Sequence, residues 1–236
     1  ISHVLLDIEG TTCPVSFVSE VLFPYAAERM GAFLSTHSEE PEIQALVKEV
    51  REAWRTDAEA HAAGLVWSGD GSVVPYLRWL IQVDRKLTPL KDLQGRIWEA
   101  GYTEGELVGP LFPDVAGALR RWKREGVTLA VYSSGSVPAQ QLIYGHSNAG
   151  DLRPLFSHWF DTRIGLKQHP ESYRAICEQM AVDPTRVLFI SDSVAELEAA
   201  SAIGMRVLFS LRNGNPQRDS GSFERITEYS TLQLKS

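Results

Sequence analysis

In "LLDIEGTTCPV", residues 5–15, two carboxylates, Asp7 and Glu9, stand at alternate positions directly after the apolar run Val4–Leu6. Acids at the exit of a buried strand are costly to desolvate unless something neutralises them. Three further stretches carry matching chemistry. "SSGS" follows the apolar run Val127–Tyr132, and its Ser133, Ser134 and Gly135 offer hydroxyls and free N–H groups to phosphate oxygens. "RIGLKQHP" brings Lys167, a compact cation with three donors. "SDSVAE" follows Val187–Ile190 and adds Asp192 and, four residues on, Glu196. Asp7, Glu9 and Asp192 are oxygen donors suited to a hard cation such as Mg²⁺, which is held by one or two carboxylates and a substrate phosphate. A metal, a cation, phosphate-binding donors and a carboxylate nucleophile are the parts needed for phosphoryl transfer. Singly, each piece is also what a turn, a helix cap or a solvated lysine looks like. The signal lies in four pieces, in order, at the edges of short apolar runs.

The elements that must hold these residues follow from the pattern. Val4–Leu6, Val127–Tyr132, Val187–Ile190 and Val207–Phe209 read as buried parallel strands. Helical patterns precede the last three: 114–125, with Asp114 as candidate N-cap and Gly126 as stop; 170–181, opening on Pro170; and 194–203, ending at Gly204. This alternation predicts an α/β fold with a doubly wound, mostly parallel sheet. The stretch from Phe17 to Leu107 breaks it. There "SEVLFPYAAERMGAFL", "EEPEIQALVKEVREAWRTDAEAHAAG", "SVVPYLRWLIQVD" and "LKDLQGRIWEAG" all read as helices, with no strand among them. The expected organisation is therefore an α/β core from 1–16 and 108–236, with a helical cap at 17–107. An insertion directly after the first strand lies at the sheet edge where open α/β folds bind ligands.

Bulk properties narrow the function. With 236 residues the chain can bury a full core. A net charge of −7 argues against nucleic-acid or anionic-membrane binding. Cys13 and Cys177 form no CxxC pair, which fits a reducing cytosol rather than a disulfide framework. The N-terminal residues lack the basic region of a signal peptide, and no stretch reaches the roughly 18 apolar residues of a membrane span. With no oligomerisation motif in view, a cytoplasmic monomer acting on a small molecule is expected.

A hydrophobic strand ending in D-x-[DE]-G-T, then Ser after a strand, then Lys, then an acidic S-D loop resembles the haloacid dehalogenase superfamily. Most phosphatases of that superfamily have Asp where this chain has Glu9. "DIEGTTCPVSFV", "LFPYA", "YSSGSVPAQQL", "YGHSNAGDL", "FDTRIGLKQHPESY" and "LRNGN" together look like the enolase-phosphatases of methionine salvage. The likeness runs through nearly the whole chain and is weaker over 35–100. Cys13 and the "QHP" after Lys167 depart from it. The resemblance implies enolisation and then dephosphorylation of 2,3-diketo-5-methylthiopentyl-1-phosphate to an acireductone. It implies Asp7 as nucleophile and Mg²⁺ ligand, and Glu9 as acid/base residue with a metal contact through its carbonyl. Ser133 and Ser134 would bind phosphate, Lys167 would balance charge as a catalytic and substrate-binding residue, and Asp192 would complete the metal site. Glu196 is left between a support for the metal shell and a plain helix residue. The competing readings are a general Mg²⁺-dependent phosphatase, a dehalogenase, which would need no metal, and a phospho-Asp receiver module, which would be about half this length and lack the insertion.

Overall fold

The computed structural model describes residues 1–65 and 72–234; the remainder of the 17–107 and 108–236 segments lies outside the described residues. The chain divides into two compact units, Ile1–Phe17 with Val108–Ser236, and Val18–Leu107.

The chain opens on β1, His3–Leu6. A π-helical turn, Phe17–Leu22, leads into the helical unit: α1 Phe23–Thr36, α2 Pro41–Thr56, α3 Ala58–Ala62, α4 Val74–Gln82 and α5 Thr88–Thr103. Pro sits in the first turn of α1, α2, α4 and α5, where its missing N–H has no partner to lose. The single helix expected over 39–64 is in fact two. Asp57 interrupts it, because its side chain accepts from the N–H of Ala60 and so starts a new helix.

The other unit continues with α6 Val115–Arg124, β2 Thr128–Tyr132, α7 Val137–Gly145, β3 Phe156–Phe160, α8 Pro170–Gln179, β4 Val187–Ser191, α9 Val194–Ser201, β5 Arg206–Ser210 and β6 Arg225–Ile226. The six strands form one parallel sheet in the order β3-β2-β1-β4-β5-β6. β1 is central, with Leu6 level with Val131 of β2 and Ile190 of β4. Val4, Leu5, Leu6, Val131 and Ile190 are fully buried, as strands covered on both faces require. Helix α6 shows the covering pattern: Val115, Ala118, Leu119 and Trp122, at spacings of three and four, are all buried.

Two strands were absent from the sequence reading. β3 carries Ser157 and His158 between its aromatic residues, so no apolar run marks it, and β6 has two residues. Asp114 does precede α6, yet its carboxylate caps nothing. It accepts two hydrogen bonds from Arg212, both 2.9 Å, and a third from the N–H of Tyr229. Helix α8 stops before 181 because Ala181 adopts φ 51°. Among the described residues no helix is long and apolar enough to cross a membrane.

Candidate active site

Asp7 leaves the sheet one residue beyond Leu6, its N–H bonded to Ile190 O, so it stands between the exits of β2 and β4. That is the edge where open parallel sheets place ligands. The chain then turns tightly. The N–H groups of Thr11, Thr12 and Cys13 all reach Ile8 O, at 3.2, 2.8 and 3.0 Å. Gly10 makes the turn with φ +66°, and a Cβ there would fall 2.1 Å from Asp192 Oδ2. Only glycine fits both the conformation and the space.

Lys167 joins the acids. Its Nζ lies 2.7 Å from Asp7 Oδ1 and 2.7 Å from Glu196 Oε2, and all three side chains are buried. Asp7 Oδ1 also accepts from the N–H of Ile8 at 2.8 Å. Ser191 Oγ lies 2.9 Å from Glu196 Oε2 and 3.3 Å from Asp7 Oδ2, while accepting from the N–H of Ser193. Burial opposes the Lys167 charge, but Asp7 and Glu196 outweigh it and raise its pKa. Tyr173 donates to Lys167 O at 2.7 Å, which anchors the lysine's own backbone.

Asp192 is half-buried beside this cluster. Burial and the neighbouring charges of Asp7 and Glu196 push its carboxyl up to about 7, with Lys167 pulling the other way. Glu196 is shifted upward too, by burial first and then by Asp7. Leaving Glu9 aside, three carboxylates share one ammonium, so that full ionisation of the acids would leave two negative charges unbalanced. A divalent cation balances that number. Among the described residues no three His, Cys, Asp or Glu side chains converge as a ready-made cage. Asp7 and Asp192 are hard oxygen donors of the kind Mg²⁺ accepts in small number when water and phosphate complete its shell. The residues present fit the ion.

On the β2 side, Ser133 is buried and Ser134 half-buried. Ser133 Oγ accepts from the N–H of Gly135 at 3.2 Å, so its own proton remains for an anionic ligand. Ser136 caps α7 through the N–H of Ala139. Asp161, just past β3, accepts from Val137 N–H and from the backbone and guanidinium of Arg163. It thereby ties the loop carrying Lys167 to the start of α7. Glu9 is half-buried and bridges to Cys13. Burial, with the charges of Glu9 and Asp7, pushes the Cys13 thiol up.

The structure therefore brings Asp7, Lys167 and Asp192 into one electrostatic cluster, with Ser133 and Ser134 on the adjoining strand exit. Sequence reasoning left Glu196 undecided; it is a direct partner of Lys167. It passed over Ser191, whose hydroxyl joins Asp7 to Glu196. The signal was its place one residue before Asp192 and five before Glu196, at the entry to a helix.

The chain belongs to the haloacid dehalogenase-like hydrolases, whose family model matches residues 1–204. It is 48% identical to Enolase-phosphatase E1 of Synechococcus elongatus, with 98% of each chain covered. It is 51% identical to Enolase-phosphatase E1 of Synechococcus sp. strain RCC307, over 91% of this chain and 86% of that one. Among solved structures, the UTR4 protein of Saccharomyces cerevisiae superposes with a TM-score of 0.79 at 29% identity, covering 98% and 99% of the two chains. CbbY of Rhodobacter sphaeroides, at 18% identity and a TM-score of 0.60, shares the fold. The curated relatives place the chain among the enolase-phosphatases of the family.

Proposed function

We propose that the enzyme converts 2,3-diketo-5-methylthiopentyl-1-phosphate to the acireductone 1,2-dihydroxy-3-keto-5-methylthiopentene and phosphate, as a step of methionine salvage. The observation that carries this reading is the buried Asp7–Lys167–Glu196 cluster with Asp192 beside it, whose charge when all three acids are ionised is what a divalent ion would balance. Asp7, Asp192 and the carbonyl of Glu9 would hold Mg²⁺. Bound there, the ion supplies charge neutralisation for the acids and for the transferring phosphoryl group.

Glu9 first takes and keeps a proton from the carbon bearing the phosphate ester, and the neighbouring ketone becomes an enol whose oxygen takes its proton from solvent. Asp7 then attacks phosphorus. Its carboxylate oxygen forms the new O–P bond, the ester O–P bond breaks, and Glu9 returns a proton to the leaving oxygen. Water hydrolyses the aspartyl phosphate, with Glu9 accepting its proton, and phosphate departs. Ser133 and Ser134 donate to the phosphoryl oxygens. Lys167 and the N–H of Ile8 hold Asp7 Oδ1, which fixes the direction in which the carboxylate faces. Glu196 and Ser191 hold Lys167 and Asp7 in turn.

Residues 1–16 and 108–236 form the catalytic core in this reading, and the helical unit is the cap that selects the substrate. The proposed enzyme is a cytosolic monomer, and two buried free thiols fit that reducing compartment. The test follows the ultraviolet spectrum and free phosphate together with the diketo phosphate, with and without Mg²⁺. Both signals should appear with Mg²⁺, and chelator should abolish phosphate release. Phosphate release without the spectral change would mean a general phosphatase.

A further inference from the structure

Two buried amides flank the site in matching arrangements. Gln140, in α7, and Asn215, beyond β5, have 0% and 5% of their surface exposed. Gln140 Nε2 donates to Gly135 O and to Phe160 O, both at 2.8 Å. Asn215 Nδ2 donates to Gly10 O at 2.9 Å and to Ser210 O at 3.1 Å. In each pair one carbonyl belongs to a loop of the site. The other belongs to the last residue of a neighbouring strand, β3 or β5. Neither amide oxygen accepts a hydrogen bond from the described residues.

Two facing carbonyls can be joined only by a group with two donors. A primary amide supplies both in one plane and brings no charge, whereas lysine or arginine would bury a further cation. The amide is thus shaped for joining a loop carbonyl to a fixed strand end.

We propose that Gln140 and Asn215 are positioning residues that divide the work between them. Gln140 sets the Ser133–Gly135 turn for phosphate, and Asn215 sets the Glu9–Gly10 turn for the metal. This rests on the reading of those turns given above. Gln140 holds the Gly135 carbonyl and the N–H of the same glycine donates to Ser133 Oγ, so losing the Gln140 bond would free Gly135 to turn and would shift the donor that orients the Ser133 hydroxyl. Gly10, at φ +66°, has more backbone freedom than any other residue type would have, and its next peptide plane is held by Asn215, with Ser210 Oγ also donating to Gly10 O at 2.9 Å.

The test uses Gln140→Met and Asn215→Leu, which keep size and remove the donors. Inorganic phosphate affinity at saturating Mg²⁺, and Mg²⁺ affinity by calorimetry, are measured for each beside thermal stability. Gln140→Met should weaken phosphate by about tenfold or more and leave Mg²⁺ within about threefold, while Asn215→Leu does the reverse, as supporting groups of a metal site commonly cost 10–100-fold. If either fails to fold, Gln140→Ala or Asn215→Ala, which also removes the donors and adds no charge, replaces it. Folded variants with unchanged affinities, or with equal losses of both ligands, would overturn the division of work. So would failure of both forms to fold, because the amides would then hold the fold and not the loops. A wild-type protein that binds neither ligand would instead overturn the reading of the turns.

Discussion

Lys167 carries the charge arrangement of the site. Its ammonium touches two buried carboxylates at 2.7 Å each, and among the described residues no other cationic side chain forms an ion pair with Asp7 or Glu196. Removing one partner of a buried ion cluster leaves the others uncompensated, at about 3–5 kcal/mol. Lys167→Ala should therefore lower kcat by at least about 100-fold, in line with loss of a positioned electrostatic group. It should also lower the thermal midpoint at pH 8 far more than at pH 5, where the acids take up protons and the penalty shrinks. Steady-state kinetics and melting at both pH values check this. A variant with only a modest rise in KM would place Lys167 at the rim. Asp7, Lys167 and Asp192 were legible in the sequence because each stands at the edge of a recognisable element. Ser191, Gln140 and Asn215 were not, because an uncharged residue that binds backbone looks like any turn or helix residue until the carbonyls it meets are known.

At the scale of elements, the site exists because β1 lies between β2 and β4, which brings residues 7, 133 and 192 to one edge. Four strands were legible from their apolar runs. β3 was not, since an edge strand with a polar middle lacks the run that burial on both faces imposes. The break at Asp57 was hidden for another reason: the helical periodicity continues through it, and only its side chain's choice of Ala60 N–H ends the helix. Asp57 Oδ2 also accepts from Tyr76 at 2.7 Å and from Arg85, so one carboxylate ties three parts of the helical unit. Burial would raise its pKa, but the Ala60, Arg85 and Tyr76 hydrogen bonds bring it down to about 2. The stability it gives is thus present above about pH 4 and lost as pH falls through about 2. Asp57→Ala should destabilise the helical unit by about 2–3 kcal/mol at neutral pH, from the lost cap and the stranded partners. Hydrogen exchange should show faster opening over α2–α4 with protection of β1–β5 unchanged; uniform acceleration through both units would contradict this.

At the scale of the molecule, the unneutralised acids link folding to pH and to the metal. Asp192 sits at about 7 in the metal-free fold, against about 4 for a free side chain. A raised folded pKa means the folded state binds more protons between those values. Its contribution is therefore full below about pH 4 and lost as pH rises through about 7. Glu196 shifts in the same direction. His3 works the other way, its pKa lowered by burial and then by His158 and Arg186. The His3 contribution is common to the protein with and without Mg²⁺, so it drops out of the gain in melting temperature on adding the ion. That gain should be large at pH 8 and small at pH 5, and a gain independent of pH would contradict the charge account. The central claim, that one carboxylate serves both chemical steps, is tested most directly by Glu9→Asp. This change draws the carboxylate back by about one carbon–carbon bond, and a misplacement of about 1 Å can cost ~100-fold in rate. Deuterium exchange at the carbon bearing the phosphate ester is read by NMR beside phosphate release from the diketo substrate and from a simple monoester. The expected result is that monoester hydrolysis is mostly kept while exchange falls by about 100-fold. Exchange at the wild-type rate in Glu9→Asp would contradict it, and would put the enolising base elsewhere.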